Sequence, residues 1–286
     1  MDVLPDDVLL EIFDFHLKRT EDMDAWHTLI HVCRRWRHLV LSSSRRLNLR
    51  IFCTDKRPVQ KMLDIWPPFP LVVWNSLGVL VHEDDIIAAL EHPDRVCEIG
   101  FDISSETLES LSVAMEVPFP ELKTLEIKLD DRLGRELFLP DTFLGGFTPR
   151  LRSLDLDGIP FSTVHKLLSS ASDLVRLSIW DVPIYEYVSP EEIATCLSSM
   201  TRLESMYIGF RHPRHYRHPE GRHPSPRPRT VLPALTYFGF KCPQGAVGYL
   251  EDLMACLDAP LLGDVDIINT YSPFDAEEID WLIQFQ

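Results

Sequence analysis

Leu151-Arg152-Ser153-Leu154-Asp155-Leu156 places apolar residues first, fourth and sixth in a six-residue stretch, with polar residues between them. The closing alternation predicts a short strand with one buried face. The same spacing recurs as Val96/Ile99/Phe101, Leu122/Leu125/Ile127, Leu174/Leu177/Ile179, Leu203/Met206/Ile208, Leu235/Phe238/Phe240 and Leu262/Val265/Ile267. By subtraction of positions, successive copies start 26, 29, 23, 29, 32 and 27 residues apart. A fixed period of this size is the mark of a stacked repeat. Helix start signals lie between the copies. Ser189-Pro190-Glu191-Glu192 offers a hydroxyl cap, a proline at the first helical position and a glutamate at the third. Asp275-Ala276-Glu277-Glu278 repeats that logic before Ile279, Trp281, Leu282 and Ile283, and Ser162–Ala171 and Gly245–Leu257 fill the same slot. Strand, turn and helix at this pitch predict a curved α/β solenoid with a parallel sheet inside and helices outside.

The repeat resembles the leucine-rich repeat. That family often places Asn three residues after the third apolar position, and here those places hold Asp130, Ile159, Val182, Arg211 and Pro243. The expected fold class is therefore α/β, an irregular leucine-rich-repeat-like solenoid with a parallel sheet. A generic α/β domain with parallel strands is the alternative. Side chains alternate along a strand, so the intervening residues face the concave surface. Acidic residues dominate the outer coils, and Trp180, Tyr207 and Tyr237 fall on three neighbouring ones. Aromatics with polar tips are typical interface anchors. Glu126, Asp155, Trp180, Tyr207 and Tyr237 form the expected substrate platform; the competing reading is that the aromatics only cover the sheet.

One segment interrupts the repeats. Residues 211–229 hold six Arg, four His and five Pro against one Glu, so they exclude a helix or a central strand. The remainder is correspondingly more acidic, −21 against −16 for the whole chain. The first reading is an insertion in a surface loop. Metal binding lacks a thiol partner or a helical ligand pair, and nucleic-acid binding lacks a supporting fold. A further reading folds the basic tract over the acidic concave face.

Upstream of the repeats, Leu4-Pro5-Asp6-Asp7-Val8-Leu9-Leu10-Glu11-Ile12-Phe13 and Trp26-His27-Thr28-Leu29-Ile30-His31-Val32-Cys33-Arg34-Arg35-Trp36-Arg37-His38-Leu39-Val40 predict two amphipathic helices. Val8, Leu9, Ile12 and Phe13 read as one stripe, and Leu4 is placed to pack back on it. The second helix is apolar over more of its girth than one neighbour can cover, and an uncovered apolar surface marks a partner site.

These residues resemble the F-box, the helical module that binds the Skp adaptor of cullin-RING ubiquitin ligases. The resemblance is carried by Leu4, Pro5, Val8, Leu9, Ile12, Phe13, Leu29, Val32, Cys33, Trp36 and Leu39, and it implies that they bind that adaptor. A long polar segment, Leu17 to Asp24, separates the two halves. Leu47-Asn48-Leu49-Arg50-Ile51-Phe52-Cys53-Thr54, followed by Met62-Leu63-Asp64-Ile65-Trp66-Pro67, is similar to the F-box proteins of basidiomycete fungi. The expected division is an F-box module over residues 1–46 and the solenoid over 47–286.

Composition bounds the function. The chain has 286 residues, 45% hydrophobic and 25% charged, with a formal net charge of −16. That charge argues against nucleic-acid or anionic-membrane binding. Six cysteines without a C-x-x-C pair suit a reducing compartment, cytosolic or nuclear. No apolar run reaches membrane-spanning length. His27 and His31 stand four apart but lack matched carboxylate or thiol partners. No G-x-S-x-G, H-E-x-x-H, G-x-x-x-x-G-K-[ST] or G-x-G-x-x-G occurs, so neither catalysis nor a cofactor is expected. The resemblance implies a non-catalytic substrate-recognition subunit of a Skp–cullin–F-box ligase, with an unidentified protein target. The alternative is an interaction scaffold whose F-box-like helices pack internally.

Overall fold

The computed structural model describes residues 4–20, 25–53, 59–75, 83–130, 137, 139–140, 142–183, 188–210, 229–242 and 247–269. The helix expected over 275–283 and most of the basic segment, 211–228, lie outside the described residues. The protein is a mixed α/β chain with N-terminal helices and a large parallel sheet. It falls into two compact units, Met1–Glu98 and Ile99–Gln286.

The first unit opens with α1 (Asp6–Arg19), α2 (Trp26–Ile30) and α3 (Arg34–Ser42). Asp6 and Asp7 in the first turn of α1 and Lys18 and Arg19 in the last match the helix dipole at both ends. Pro5 stands at the N-cap.

The single helix expected from Trp26 to Val40 is two helices. His31 and Val32 close α2 in a tight turn, their N–H groups bonding to Thr28 O and Leu29 O. Cys33 is then extended (φ −159°, ψ 169°), and its Sγ accepts the Trp36 N–H at 3.5 Å as the N-cap of α3. Apolar periodicity runs unbroken across this corner, and a thiol is a weak cap signal, so the sequence does not announce the break. The Arg37 Nε donates to Ile30 O at 3.0 Å and holds the two helices at the corner.

Next come β1 (Ile51–Cys53), α4 (Val59–Ile65), β2 (Leu71–Asn75) and α5 (Glu83–Leu90). β1 and β2 pair in parallel, Ile51 against Leu71 and Cys53 against Val73. The domain boundary expected after residue 46 falls inside this unit. Leu47 and Leu49 are buried, and Trp26 of α2 meets Trp66 and Phe69 with ring centroids 5.0 and 5.7 Å apart. Burial raises the Cys53 thiol to about 12, which keeps it a neutral core side chain. β3 (Val96–Ile103) carries the division between the units.

The second unit continues with α6 (Ser105–Ser112), β4 (Thr124–Leu129), β5 (Ser153–Asp157), α7 (Phe161–Ser170), β6 (Arg176–Val182), α8 (Pro190–Leu197) and β7 (Ser205–Phe210). It ends with β8 (Thr230–Val231), β9 (Tyr237–Cys242), α9 (Val247–Cys256), β10 (Leu257–Asp258) and β11 (Asp264–Asn269). Strands β4, β5, β6, β7, β9 and β11 lie side by side in chain order, all parallel. The registers align the repeat copies with one another: Leu125–Leu154–Leu177–Met206–Phe238–Val265 form one row. All but Val265 of that row are buried; Val265, on the last strand of the order, is 42% exposed. Helices cover the apolar face: Phe240 of β9 stacks on Tyr249 of α9, whose hydroxyl donates to Val188 O at 2.7 Å. The capping box at Ser189 is formed in both directions, Ser189 N to Glu192 Oε2 at 2.8 Å and Glu192 N to Ser189 Oγ at 3.2 Å. At the start of α6 the Ser104 Oγ accepts the Thr107 N–H at 3.2 Å.

Candidate functional site

Two surfaces carry the residues singled out above: the outer side of α1 with the α2–α3 corner, and the polar face of the sheet.

On α1, residues one apart are turned by about 100°, and the pairs Val8/Leu9 and Ile12/Phe13 divide between two faces. Leu9, Leu10 and Phe13 point inward; Phe13 is fully buried and meets Trp36 of α3 edge to face, centroids 4.6 Å apart. Val8 and Ile12 point outward, 42% and 47% exposed. Leu4 is exposed with them, at 48%. Phe15 completes the row at 61% exposure, with the Arg19 guanidinium 5.0 Å from its ring centroid. Positions 8, 12 and 15 follow the i, i+4, i+7 spacing of one stripe, the one signal in the sequence for Phe15.

Of the eleven expected adaptor-binding residues, Leu4, Pro5, Val8, Ile12, Val32 and Cys33 are exposed and Trp36 is half-buried. Leu9, Phe13, Leu29 and Leu39 are buried within their own unit. Charged side chains brace the exposed stripe from α3 and the turn after it. The Arg35 Nε donates to Asp6 Oδ1 at 3.0 Å and its Nη2 to Leu4 O at 2.6 Å, while Arg46 pairs with Glu11. His27 stacks on Trp66 and His31 is exposed. Among the described residues no group of three or more His, Cys, Asp or Glu is placed to hold a metal ion.

On the sheet, Glu126, Asp155, Ser178, Tyr207 and Gly239 align in one row across β4, β5, β6, β7 and β9. Lys128 Nζ sits 2.5 Å from Glu126 Oε1. Asp155 is raised to about 6, first by burial and then by the neighbouring Glu126 charge; Lys128 and a hydrogen bond from Trp180 oppose the rise. Its Oδ1 is buried without a hydrogen-bond partner.

Trp180 stacks on Tyr207, centroids 3.6 Å apart and planes 25° apart. Tyr207 is 5% exposed and so cannot serve as an exposed anchor. The cause is its neighbour in register. A Cβ on Gly239 would stand 2.3 Å from Tyr207 Cδ2, so the ring lies in space that glycine leaves open. Tyr237 does not join the other two aromatics. It faces Asp266 of β11, hydroxyl to Oδ2 3.5 Å, and burial with the Asp266 charge pushes its hydroxyl pKa above the usual tyrosine value. A register shift between Ile179 and Val182 bulges β6 and puts Asp181 at φ +47°. Asp181 meets Lys241 Nζ at 2.8 Å, and Lys241 passes close over Gly209 on the way.

Residues 1–50 match the F-box-like family. The chain thus carries an F-box-like domain, and such a domain implies a Skp-type adaptor as partner. No curated protein matches the chain. The matched residues contain α1, α2 and α3 entire, and with them the whole exposed stripe.

Proposed function

We propose that the protein is a substrate-recognition subunit of a Skp–cullin–F-box ubiquitin ligase. The F-box-like helices bind the Skp adaptor and, through it, a cullin. The remainder, read as an irregular leucine-rich-repeat-like solenoid, presents a target protein. The chain performs no chemistry in this reading and acts by holding a target near the conjugating machinery. A basidiomycete-type F-box protein working in the cytosol or nucleus, with neither nucleic acid nor membrane as partner, fits the composition. Among the described residues no helix is long and apolar enough to cross a membrane.

The observation that carries this reading is the exposed apolar row of Val8, Ile12 and Phe15 on α1, with Leu4 just before it, on a helix that buries Leu9, Leu10 and Phe13 in its own unit. An uncovered apolar row of this kind is an association surface. Val32, 58% exposed at the α2–α3 corner, adds a second exposed apolar side chain within the matched residues.

The internal-scaffold reading draws on the burial of Leu9, Phe13, Leu29 and Leu39. Co-purification with a Skp-type adaptor decides between the two. Val8→Asp with Ile12→Asp abolishes capture in the ligase reading. Failure of the unaltered chain to capture the adaptor rejects that reading.

A further inference from the structure

The polar face of the second unit's sheet is unevenly charged. Positions that face that side hold the carboxylates Asp102, Glu126, Asp155, Asp157, Asp264 and Asp266 against the cations Lys128, Arg176 and Lys241. Two of those cations are engaged, Lys128 with Glu126 and Lys241 with Asp181. Asp155 lies beside Glu126 in register, and Asp157 of the same strand stands opposite Trp180. Trp180 is half-buried, and its stacking on the buried Tyr207 fixes the indole in place.

We propose that this face takes an arginine-bearing basic segment of the target protein, with a guanidinium laid on the Trp180 indole and its charge against Asp155 and Asp157. The proposal rests on the reading of the second unit as the target-presenting part and deepens it to a chemical class. A fixed indole flanked by carboxylates suits the flat guanidinium better than the compact, strongly hydrated ammonium of lysine. The face supplies net negative charge that a basic segment complements and an acidic one does not. The Asp155 carboxylate, held uncomfortably by burial and by Glu126, gains most from an arriving cation.

The test uses the full chain and short labelled peptides of alternating Gly with Arg, Lys or Glu, read by fluorescence anisotropy at near-physiological salt. The arginine peptide is expected to bind roughly tenfold more tightly than the lysine peptide, a margin within the range of a partly desolvated cation–π contact, and the glutamate peptide not at all. Asp155→Asn with Asp157→Asn weakens arginine-peptide binding about tenfold or more, the loss of close charge partners. Trp180→Leu erases the preference for arginine over lysine. Asp84→Asn with Glu106→Gln removes the same formal charge from exposed helical positions and changes nothing.

Equal weakening by both charge-removing pairs means general attraction to an acidic chain and overturns the proposal. Unchanged binding in the Asp155/Asp157 variant, or in Trp180→Leu, overturns it as well. The melting temperature of each variant separates lost binding from lost fold. The peptide assay contains no adaptor. Failed peptide binding with intact adaptor capture therefore sinks this inference alone, and the converse result sinks the F-box reading alone.

Discussion

Phe13 of α1 and Trp36 of α3 meet edge to face with ring centroids 4.6 Å apart, and Phe13 has no exposed surface at all. The contact turns α1 so that Ile12, one residue away, stands in solvent. Packing and partner binding are thus carried by adjacent residues on one helix, and substitutions can separate them.

Phe13→Ala should destabilise the protein by about 3–5 kcal/mol, the range for deleting a buried aromatic. Denaturant unfolding checks this. Adaptor capture should fall with it, because the stripe loses its support.

Ile12→Asp should change stability by no more than about 0.5 kcal/mol, as exposed substitutions do, and still remove adaptor capture. Phe15→Asp should behave the same way if the association surface runs the full length of the stripe. Thermal melting alongside a pull-down reads both quantities. A large drop in melting temperature would place these residues in the core.

Gly239→Ala should cost about 1–3 kcal/mol through overpacking, because the new methyl group would collide with the Tyr207 ring. In a Tyr207→Leu background the cost should shrink, since the obstructing ring is gone. A double-mutant cycle in denaturant measures that coupling.

Asp155 makes stability depend on pH with a definite sign. Its folded value, about 6, lies above the ordinary 3.8. Between those two values the folded chain holds more protons than the unfolded one. Stability contributed at this site therefore falls as pH rises through the window, and the loss is complete above it. Asp155→Asn should raise the melting temperature at pH 7, with the advantage fading towards pH 4. Glu126, Lys128, Asp157 and Trp180 surround the group and stay in place in the variant. A pH series of melting curves on the two proteins checks it.

Ser189→Ala should cost about 0.5–2 kcal/mol, the worth of an N-cap side chain. It removes the hydroxyl that accepts the Glu192 N–H. Glu192→Gln should cost less, since an amide keeps an acceptor for the Ser189 N–H. Chemical denaturation of the two variants ranks them.

Local pattern was enough to locate the strands β3 to β7, β9 and β11 and the helices α7, α8 and α9, because alternation and cap chemistry are properties of neighbouring residues. Helix α6 was missed, although Ser104 offers the same kind of cap as Ser189. The resemblance of the first helices to the F-box was legible too, through the order of Leu4-Pro5, the apolar pairs and Trp36.

Which member of each pair faces solvent, where the second helix breaks, and which aromatic stays exposed were all decided by partners distant in the chain. Phe13 is enclosed by Trp36, and Tyr207 is enclosed because Gly239, thirty-two positions later by subtraction, lies beside it in register and has no side chain. A period records how a residue alternates with its neighbours in sequence. Burial depends on the size of the side chain across the strand or helix, and only the folded chain brings that neighbour into place.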